Sequence, residues 1–588
     1  MPINTITSDY ILPDIDNHFK VSAGPGAGKT HWLVNHIKHV LHNSDKLFRT
    51  KKIACITYTN IAVETILKRL GTSAERVEVS TIHSFLYNNV VKPYVSFIAD
   101  EYQLDVSKID GHDDITPNWM YINEWITNHP NSNLLKHPYS VNQLTKLPNY
   151  KYALINWLNS LVYKIDVKTE EVSIISDRSD AFYLEGTSRR YLNKKCLDAL
   201  EIDFLEYKKK YWQNGKISHD DILFFSFQII IRFPFVLDIL SSRFPYIFVD
   251  EFQDSNPIQV EIIKKIASKK TITGVIGDVA QSIYEFQGAD CTQFELFTLP
   301  NIENYILQEN RRSSNEIIDV LNFIRTDISQ IKFRNFTNVK PSIFIGDMDK
   351  ALRIAKDVCV GEKVYTLSRN NITSNAMKAE INGAGLDYTL LDKLKEEDSN
   401  RRSKLFYSCI KAIAYAKEKK FKDAVKELEK YFNYKTDKIR GKKKALNYIT
   451  IFLEKFSEFE NGSLLEFSEF VRNNIDSDLT KVTKGAVKVF YENHTFTQLY
   501  FCVSIPDDLS LHKTIHKAKG DEFDNVLLVL KQENDLDFLL NRNLSNNEEH
   551  RINYVGCSRA KNRLFISVPS LSDEKKEILT PLFEIHNI

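Results

Sequence analysis

Several protein classes are excluded by what this chain has little of. Seven cysteines occur in 588 residues, at Cys55, Cys196, Cys291, Cys359, Cys409, Cys502 and Cys557, and none forms a C-x-x-C pair. That spacing argues against a zinc ribbon, an iron–sulfur cluster and a disulfide framework. No apolar run approaches the roughly 18 residues of a membrane-spanning helix. The opening stretch has no basic start followed by an apolar core, so no membrane partner and a reducing cytoplasm are expected. An excess of one charge is also missing, because 78 Lys and Arg face 77 Asp and Glu for a net +1. Any surface for a polyanion must therefore come from local clustering of basic side chains. No internal repeat or low-complexity tract is visible.

What remains is an ordinary globular composition, 26% charged and 43% hydrophobic. The length suggests about three to five folding units. Four short apolar segments, residues 18–23, 52–57, 246–250 and 271–278, end in small or polar residues. This is the pattern of parallel strands buried on both faces, and the fold class expected is α/β with a doubly wound sheet. Leu33, Ile37, Val40 and Leu41 follow the first at helical spacing, and Val63, Ile66, Leu67 and Leu70 follow the second. Residues 88–215 turn aromatic and helical, and Trp119, Trp125, Trp157 and Trp212 there read as core. A second helical stretch, 392–480, puts Phe421, Val425, Leu428 and Phe432 on one face. It then carries the basic run Lys438, Arg440, Lys442, Lys443 and Lys444, read as a solvated loop, with contact to duplex DNA as the minority reading.

The strongest chemical signal is Ala23-Gly24-Pro25-Gly26-Ala27-Gly28-Lys29-Thr30 between a strand and a helix. Backbone N–H groups of such a loop cradle phosphates, Lys29 neutralises them and Thr30 ligates Mg²⁺. Tyr246-Ile247-Phe248-Val249 ends in Asp250 and Glu251, an arrangement that can place one carboxylate on the metal and the other on a water attacking the γ-phosphate.

Further boxes surround this pair. Asp250-Glu251-Phe252-Gln253-Asp254 and Gly277-Asp278-Val279-Ala280-Gln281-Ser282-Ile283-Tyr284 resemble boxes of the superfamily 1 helicases of the UvrD, PcrA and Rep type. So do Thr57-Tyr58-Thr59-Asn60, Ser80-Thr81-Ile82-His83-Ser84-Phe85 and Asn310-Arg311-Arg312-Ser313. Thr514-Ile515-His516-Lys517-Ala518-Lys519-Gly520 and Tyr554-Val555-Gly556-Cys557-Ser558-Arg559-Ala560 complete the set, in the family's order and over nearly the whole chain.

The resemblance implies two RecA-like P-loop domains, each with a mainly helical insertion. The first motor domain would take residues 1–88 and 215–295 and its insertion 89–214; the second would take 296–391 and 481–588, with a reduced insertion at 392–480. It implies an ATP-dependent 3′–5′ DNA helicase with ATP and Mg²⁺ as cofactors, acting on single-stranded DNA and single/double-strand junctions. Gly24, Gly26, Ala27, Gly28, Lys29 and Thr30 would hold the nucleotide, Thr30 and Asp250 the metal. Glu251 would activate water, Gln281 would sense the γ-phosphate, Arg312 and Arg559 would act as arginine fingers and Glu522 would hold the ribose. Tyr58, Asn60, His83, Tyr284, Phe286, Thr514 and His516 would follow the DNA, the aromatic rings by stacking on bases.

The chain departs from the family in several places. Residues 1–23 contain no Gln to read adenine, and Arg311 stands where a Tyr commonly stacks on the base. Phe286 replaces the usual Trp, Gln287 the usual Arg and Asp521 a Leu. A smaller ring and one lost positive charge imply a weaker grip on single strands with a shallower salt dependence. Gly385-Leu386-Asp387-Tyr388 superficially matches a nuclease motif but falls where the family has an ordinary strand entry, and no nuclease domain is expected. The compact length also resembles UvrD-like subunits of bacterial anti-phage systems such as Gabija. The alternative reading is therefore a DNA-bound, nucleotide-gated regulatory subunit of a nuclease complex or other defence assembly, with little unwinding of its own. An RNA helicase is a third.

Overall fold

The computed structural model describes residues 3–137, 143–185, 188–378, 387, 389–398, 401–430, 438–503 and 510–588. The chain divides into two compact units, Met1–Arg311 with Asp327–Phe333, and Arg312–Thr326 with Arg334–Ile588.

Among the described residues, the first unit is built on a seven-stranded, all-parallel sheet. Its spatial order is Ile3–Ile6, Glu303–Leu307, Phe19–Ala23, Ile272–Gly277, Tyr246–Val249, Ile53–Thr57 and Val77–Thr81. The four strands expected from the sequence form its centre. They are buried on both faces because helices cover both sides: Lys29–Asn43 packs Trp32, Leu33, Ile37 and Val40 into one cluster with Phe19 and Phe248. His219–Arg232 and Pro257–Ala267 pack Phe225, Ile229, Ile262 and Ile266 into the other. A parallel sheet needs this double cover, since its crossovers lay helices on both faces. The loops leaving Ala23 and Val249 lie either side of the strand that ends at Gly277, so the chemistry gathers at one carboxyl-terminal edge.

Several boundaries differ from those read in the sequence. The first sheet does not end near residue 295, because Glu303–Leu307 pairs with Phe19–Ala23 in register from Glu303 opposite Phe19 to Leu307 opposite Ala23. Val90, Val91, Val95, Ile98 and Leu104 belong to the core beneath the sheet rather than to the insertion. A separate core further on gathers Ile122, Trp125, Trp157, Leu200 and Tyr207. Trp212 belongs to the core under the sheet and stacks on Phe224. Two antiparallel hairpins, Val162–Asp166 with Glu171–Ile175 and Phe182–Glu185 with Ser188–Tyr191, lie in the stretch that the sequence marks as helical.

The second unit holds a six-stranded parallel sheet, among the described residues, in the order His512–Thr514, Val364–Ser368, Phe523–Val529, Ala560–Val568, Ser342–Ile345 and Glu584–Asn587. Its helical body runs past residue 480: Tyr491, Phe496, Leu499 and Val503 pack with Phe406, Phe452 and Phe467. In the helix Phe421–Glu429 the buried residues are Ala424, Glu427 and Leu428, while Phe421 is exposed. Phe432 lies outside the described residues, as do Gly385, Leu386 and Tyr388. The basic run opens a helix, Lys438–Glu454, instead of forming a loop, and Arg440, Lys442 and Lys443 face solvent there. Its apolar neighbours Ala445, Tyr448, Ile449 and Phe452 recur at helical spacing and hold that helix on the core.

No single helix among the described residues is long and apolar enough to cross a membrane. The pair His219–Arg232 and Phe235–Arg243 passes on composition alone but bends by 108° and supplies core residues.

Candidate nucleotide and DNA site

The phosphate loop follows directly from the strand Phe19–Ala23, whose last residue is fully buried. Gly24 donates its N–H to the Leu307 carbonyl at 3.1 Å, which extends the strand pairing into the loop. Gly28 sits at φ 80°, and a Cβ added there would lie 2.9 Å from the Ser8 Cβ. Only glycine takes that conformation and that space without strain. The helix that follows has no side-chain cap and no acid in its first turn. Its N–H groups and the positive end of its dipole are left for an anion.

Lys29 and Thr30 open this helix and meet the acids from the neighbouring strand. Thr30 Oγ1 donates to Asp250 Oδ2 at 3.4 Å, and Lys29 Nζ lies 3.7 Å from Glu251 Oε2. The ammonium is buried yet makes no hydrogen bond to the described residues, an expensive condition that a phosphate would relieve. Burial, reinforced by the adjacent Glu251 charge, pushes the Asp250 carboxyl well above the usual carboxylate range. A divalent cation would reverse that shift, so a hydroxyl, a strained buried carboxylate and an unsatisfied ammonium fit Mg²⁺ bound with a polyphosphate.

Glu251 adopts φ 53°, a left-handed conformation rare outside glycine, asparagine and aspartate. Its side chain accepts from Gln253 Nε2 at 2.5 Å. Gln253 is fully buried, and its Oε1 accepts the Asp278 N–H at 2.9 Å. Asp278 in turn accepts from Gln281 Nε2, and the Ser282 hydroxyl donates to the Gln253 carbonyl at 3.0 Å. The acid pair and the expected sensor loop thus share one hydrogen-bonded network. The sequence marks Gln253 only as part of a box, since nothing local ties it to a strand end 25 residues away.

Beyond this loop the expected DNA-contacting aromatics converge. Tyr58 stacks on Tyr284 with ring centroids 4.8 Å apart and donates to Gln287 Oε1. Tyr284 is 9% exposed, whereas Phe286, 6.0 Å away, is 65% exposed. Asn60 opens its helix facing solvent. His83 lies 5.3 Å from His219, whose Nδ1 is 2.7 Å from His112 Nδ1. Burial and these two neighbours push the His83 imidazole down to about 4, so it is neutral at pH 7. Neither His112 nor His219 carried a signal in the sequence.

Arg311 has one face of its guanidinium covered. Its guanidinium pairs with Glu309 at 2.8 Å and Asp9 at 2.9 Å and lies over the Phe333 ring at 3.9 Å.

In the second unit, Arg312 donates to the Ser558 carbonyl and to Glu522 Oε1, each at 2.7 Å. Burial alone would raise the Glu522 carboxyl, but the Arg312, Lys561 and Arg559 charges outweigh it and hold the group below its ordinary value. Arg559 is 2% exposed and donates to the Val555 carbonyl at 3.1 Å, the Ser558 hydroxyl at 3.0 Å and the Asp521 carbonyl at 3.4 Å. Thr514 ends the edge strand and accepts the Lys517 N–H at 3.4 Å, with the half-buried His516 between them. Arg312, Glu522 and Arg559 therefore form one cluster, and Lys513, beside Thr514, pairs at 3.0 Å with Asp521 next to it.

A phosphate loop, an acid pair on a neighbouring strand end and a loop hydrogen-bonded to that pair on one parallel sheet, followed by a second parallel-sheet unit, are the arrangement of a P-loop nucleotide hydrolase of the two-domain motor class. Family models place it further: the UvrD/REP helicase N-terminal domain matches residues 3–301 and the UvrD-like helicase C-terminal domain matches residues 292–570. The chain belongs to the UvrD-like helicases, and is an ATP-hydrolysing DNA helicase.

It is 24% identical to the Gabija protein GajB of Bacillus cereus (strain HuB5-5), over 96% of this chain and 95% of that protein. It is 25% identical to the ATP-dependent DNA helicase PcrA of Bacillus subtilis over 65% of this chain, which spans about half of that protein (49%). It is 23% identical to the ATP-dependent DNA helicase Rep of Buchnera aphidicola, over 93% of this chain and 88% of that protein.

Proposed function

We propose that the chain is a 3′–5′ single-stranded DNA translocase and helicase, acting at single/double-strand junctions in the cytoplasm, in DNA repair, recombination or anti-phage defence. The observation that carries this reading is the network in which the Asp250–Glu251 pair, Gln253, Asp278 and Gln281 join the phosphate loop to the loop bearing Tyr284. Hydrolysis and grip on DNA would be coupled through a few buried hydrogen bonds. Four parts are proposed: residues 1–88 with 215–295 extended to the Glu303–Leu307 strand, an insertion between them, a second motor domain, and its own helical insertion.

Gly24, Gly26, Ala27, Gly28 and Lys29 hold the phosphates, and Thr30 and Asp250 hold Mg²⁺, which when bound supplies charge neutralisation on the γ-phosphate. Glu251 takes the proton of the attacking water as its oxygen bonds to the γ-phosphorus and the bond to the ADP oxygen breaks. Gln281 senses the γ-phosphate. Arg312 and Arg559 stabilise the charge on the transferring group and Glu522 holds the ribose, with Arg312 paired to Glu522 between them. Tyr58, Asn60, His83, Tyr284, Phe286, Thr514 and His516 track the DNA.

A second reading is favoured by one observation, the match to a Gabija protein along nearly the whole of both chains. On it the chain is the DNA-sensing subunit of an anti-phage assembly with a nuclease or other defence partner, and unwinding is subordinate to that partner's control. Unwinding of duplexes carrying a 3′ or a 5′ single-stranded tail separates the two. The first reading requires ATP-dependent unwinding from the 3′ tail; ATP hydrolysis with neither duplex opened leaves the second.

A further inference from the structure

Gln253 is positioned to do more than fill space beneath the acid pair. It is fully buried and its amide is used at both ends. The Asp278 backbone N–H can only donate, so the oxygen of the amide must face it and the NH₂ must face Glu251. Glutamine offers an acceptor at one end and a donor at the other whatever the pH, whereas a glutamic acid could do so only while it kept its proton. The same NH₂ lies 3.4 Å from Asp254 Oδ2, and the Gln253 carbonyl holds the Ser282 hydroxyl. Gly277 makes the approach possible: a Cβ there would lie 2.7 Å from Gln253 Oε1. The Gly277 backbone is one any residue can adopt, because its φ is not positive. Its missing side chain is therefore explained by the space taken by Gln253 and by the Phe294 ring, 3.1 Å from the same point.

We infer that Gln253 is a positioning residue that holds the Glu251 carboxylate in one orientation and locks it to the Asp278–Gln281 loop, so that water activation and γ-phosphate sensing move together. This rests on the reading of Glu251 as the group that takes the proton of water. Oε2 of Glu251 is held between the Gln253 amide and the Lys29 ammonium. One oxygen of the carboxylate is thereby anchored, and a base held near its reactive orientation need not be ordered during each turnover. The connection onward runs from the Gln253 oxygen to Asp278 and from Asp278 to Gln281, on the loop that ends at Tyr284. Breaking the first link should free both ends.

The test is steady-state ATP hydrolysis by the full chain, with and without single-stranded DNA, for Gln253→Leu, Gln253→Glu, Gly277→Ala, Gln281→Ala and Glu251→Gln. Gln253→Leu should lower kcat about 10- to 100-fold, the range for loss of an orienting partner, while KM for ATP stays within about twofold. The stimulation by DNA should shrink in the same variant. Gln253→Glu should lose activity as the pH rises, because the buried carboxyl can replace the amide only while it keeps its proton. Gln253→Leu combined with Gln281→Ala should be no worse than the poorer single variant, since both break one chain of bonds. Should Gln253→Leu not fold, Gln253→Glu and Gly277→Ala carry the same test, the latter by pushing the amide aside.

A lowered melting temperature with kcat, KM and DNA stimulation unchanged would overturn the proposal, as would additive losses in the double variant. If Glu251→Gln leaves hydrolysis intact, the assignment of the base itself has failed. If Glu251→Gln abolishes hydrolysis while the Gln253 variants do not disturb it, the positioning role alone has failed.

Discussion

Phe286 offers a direct way to separate DNA grip from folding. Its ring is 65% exposed, unlike Tyr284 at 9%, whose face is occupied by Tyr58. Truncation of an exposed side chain changes stability by about 0.5 kcal/mol or less. A base stacked on such a ring contributes about 1–3 kcal/mol, or roughly 5- to 150-fold in affinity. Phe286→Ala should therefore weaken single-stranded DNA binding by a factor in that range with the melting temperature unchanged. The loss should be equal for mixed and homopolymeric sequences, because every base presents a π-face. It should leave the slope of log K against log salt unaltered, since no phosphate contact is removed. Phe286→Trp should tighten binding, again without changing the slope, whereas Gln287→Arg should steepen it by about 0.7 for one added phosphate contact. Fluorescence anisotropy of a labelled oligonucleotide across a salt series measures all three. Affinity within twofold of the parent for Phe286→Ala, or a change confined to the salt slope, would refute stacking at this position.

Other expectations concern the nucleotide site and the core. Lys29→Ala should abolish the rise in melting temperature produced by Mg-ATP, whereas Glu251→Gln should keep that rise and lose hydrolysis, which thermal scans paired with phosphate release would distinguish. Gly28→Ala forces a left-handed alanine, a cost of about 1–2 kcal/mol, and sets its Cβ 2.9 Å from that of Ser8, so both the melting temperature and its response to ATP should fall. Burial holds His36 down to about 3 and His83 down to about 4, against about 6.5 in the unfolded chain. The unfolded state then binds protons that the folded state refuses, so the stability from these rings is complete above pH 6.5 and declines as the pH falls through 5. The decline should reach at most about 2 kcal/mol per ring at pH 5. It would show as a falling denaturation midpoint that His36→Phe partly flattens, and an unchanged slope in that variant would contradict the assignment.

The parts of this molecule that the sequence made legible are those where one local pattern has one physical cause. Tyr246–Val249 and Ile272–Gly277 are apolar throughout because both faces are covered, and such runs stand out without knowledge of their neighbours. Glu303–Leu307 and Ile3–Ile6 lie toward the sheet's edge with polar residues interspersed, so nothing in their composition marks them as strands. The hairpin Val162–Asp166 with Glu171–Ile175 escaped for a related reason: its turn puts Glu170, not glycine or asparagine, at φ 59°. Insertion boundaries depend on which core a helix packs against, and Val95 and Ile98 look alike whether they serve the sheet or the insertion. In the site, the glycines, Lys29 and the acid pair announce themselves by type and spacing. Gln253, His112 and His219 matter through partners far along the chain, and only the fold brings those together.

The most direct test of the account is ATP hydrolysis by the whole chain with and without single-stranded DNA, with Glu251→Gln as the blank. Strong stimulation by DNA that disappears in Glu251→Gln is the result expected of a motor whose water-activating acid is wired to its DNA-contacting loop. Hydrolysis that is absent, or equal with and without DNA, would contradict that coupling.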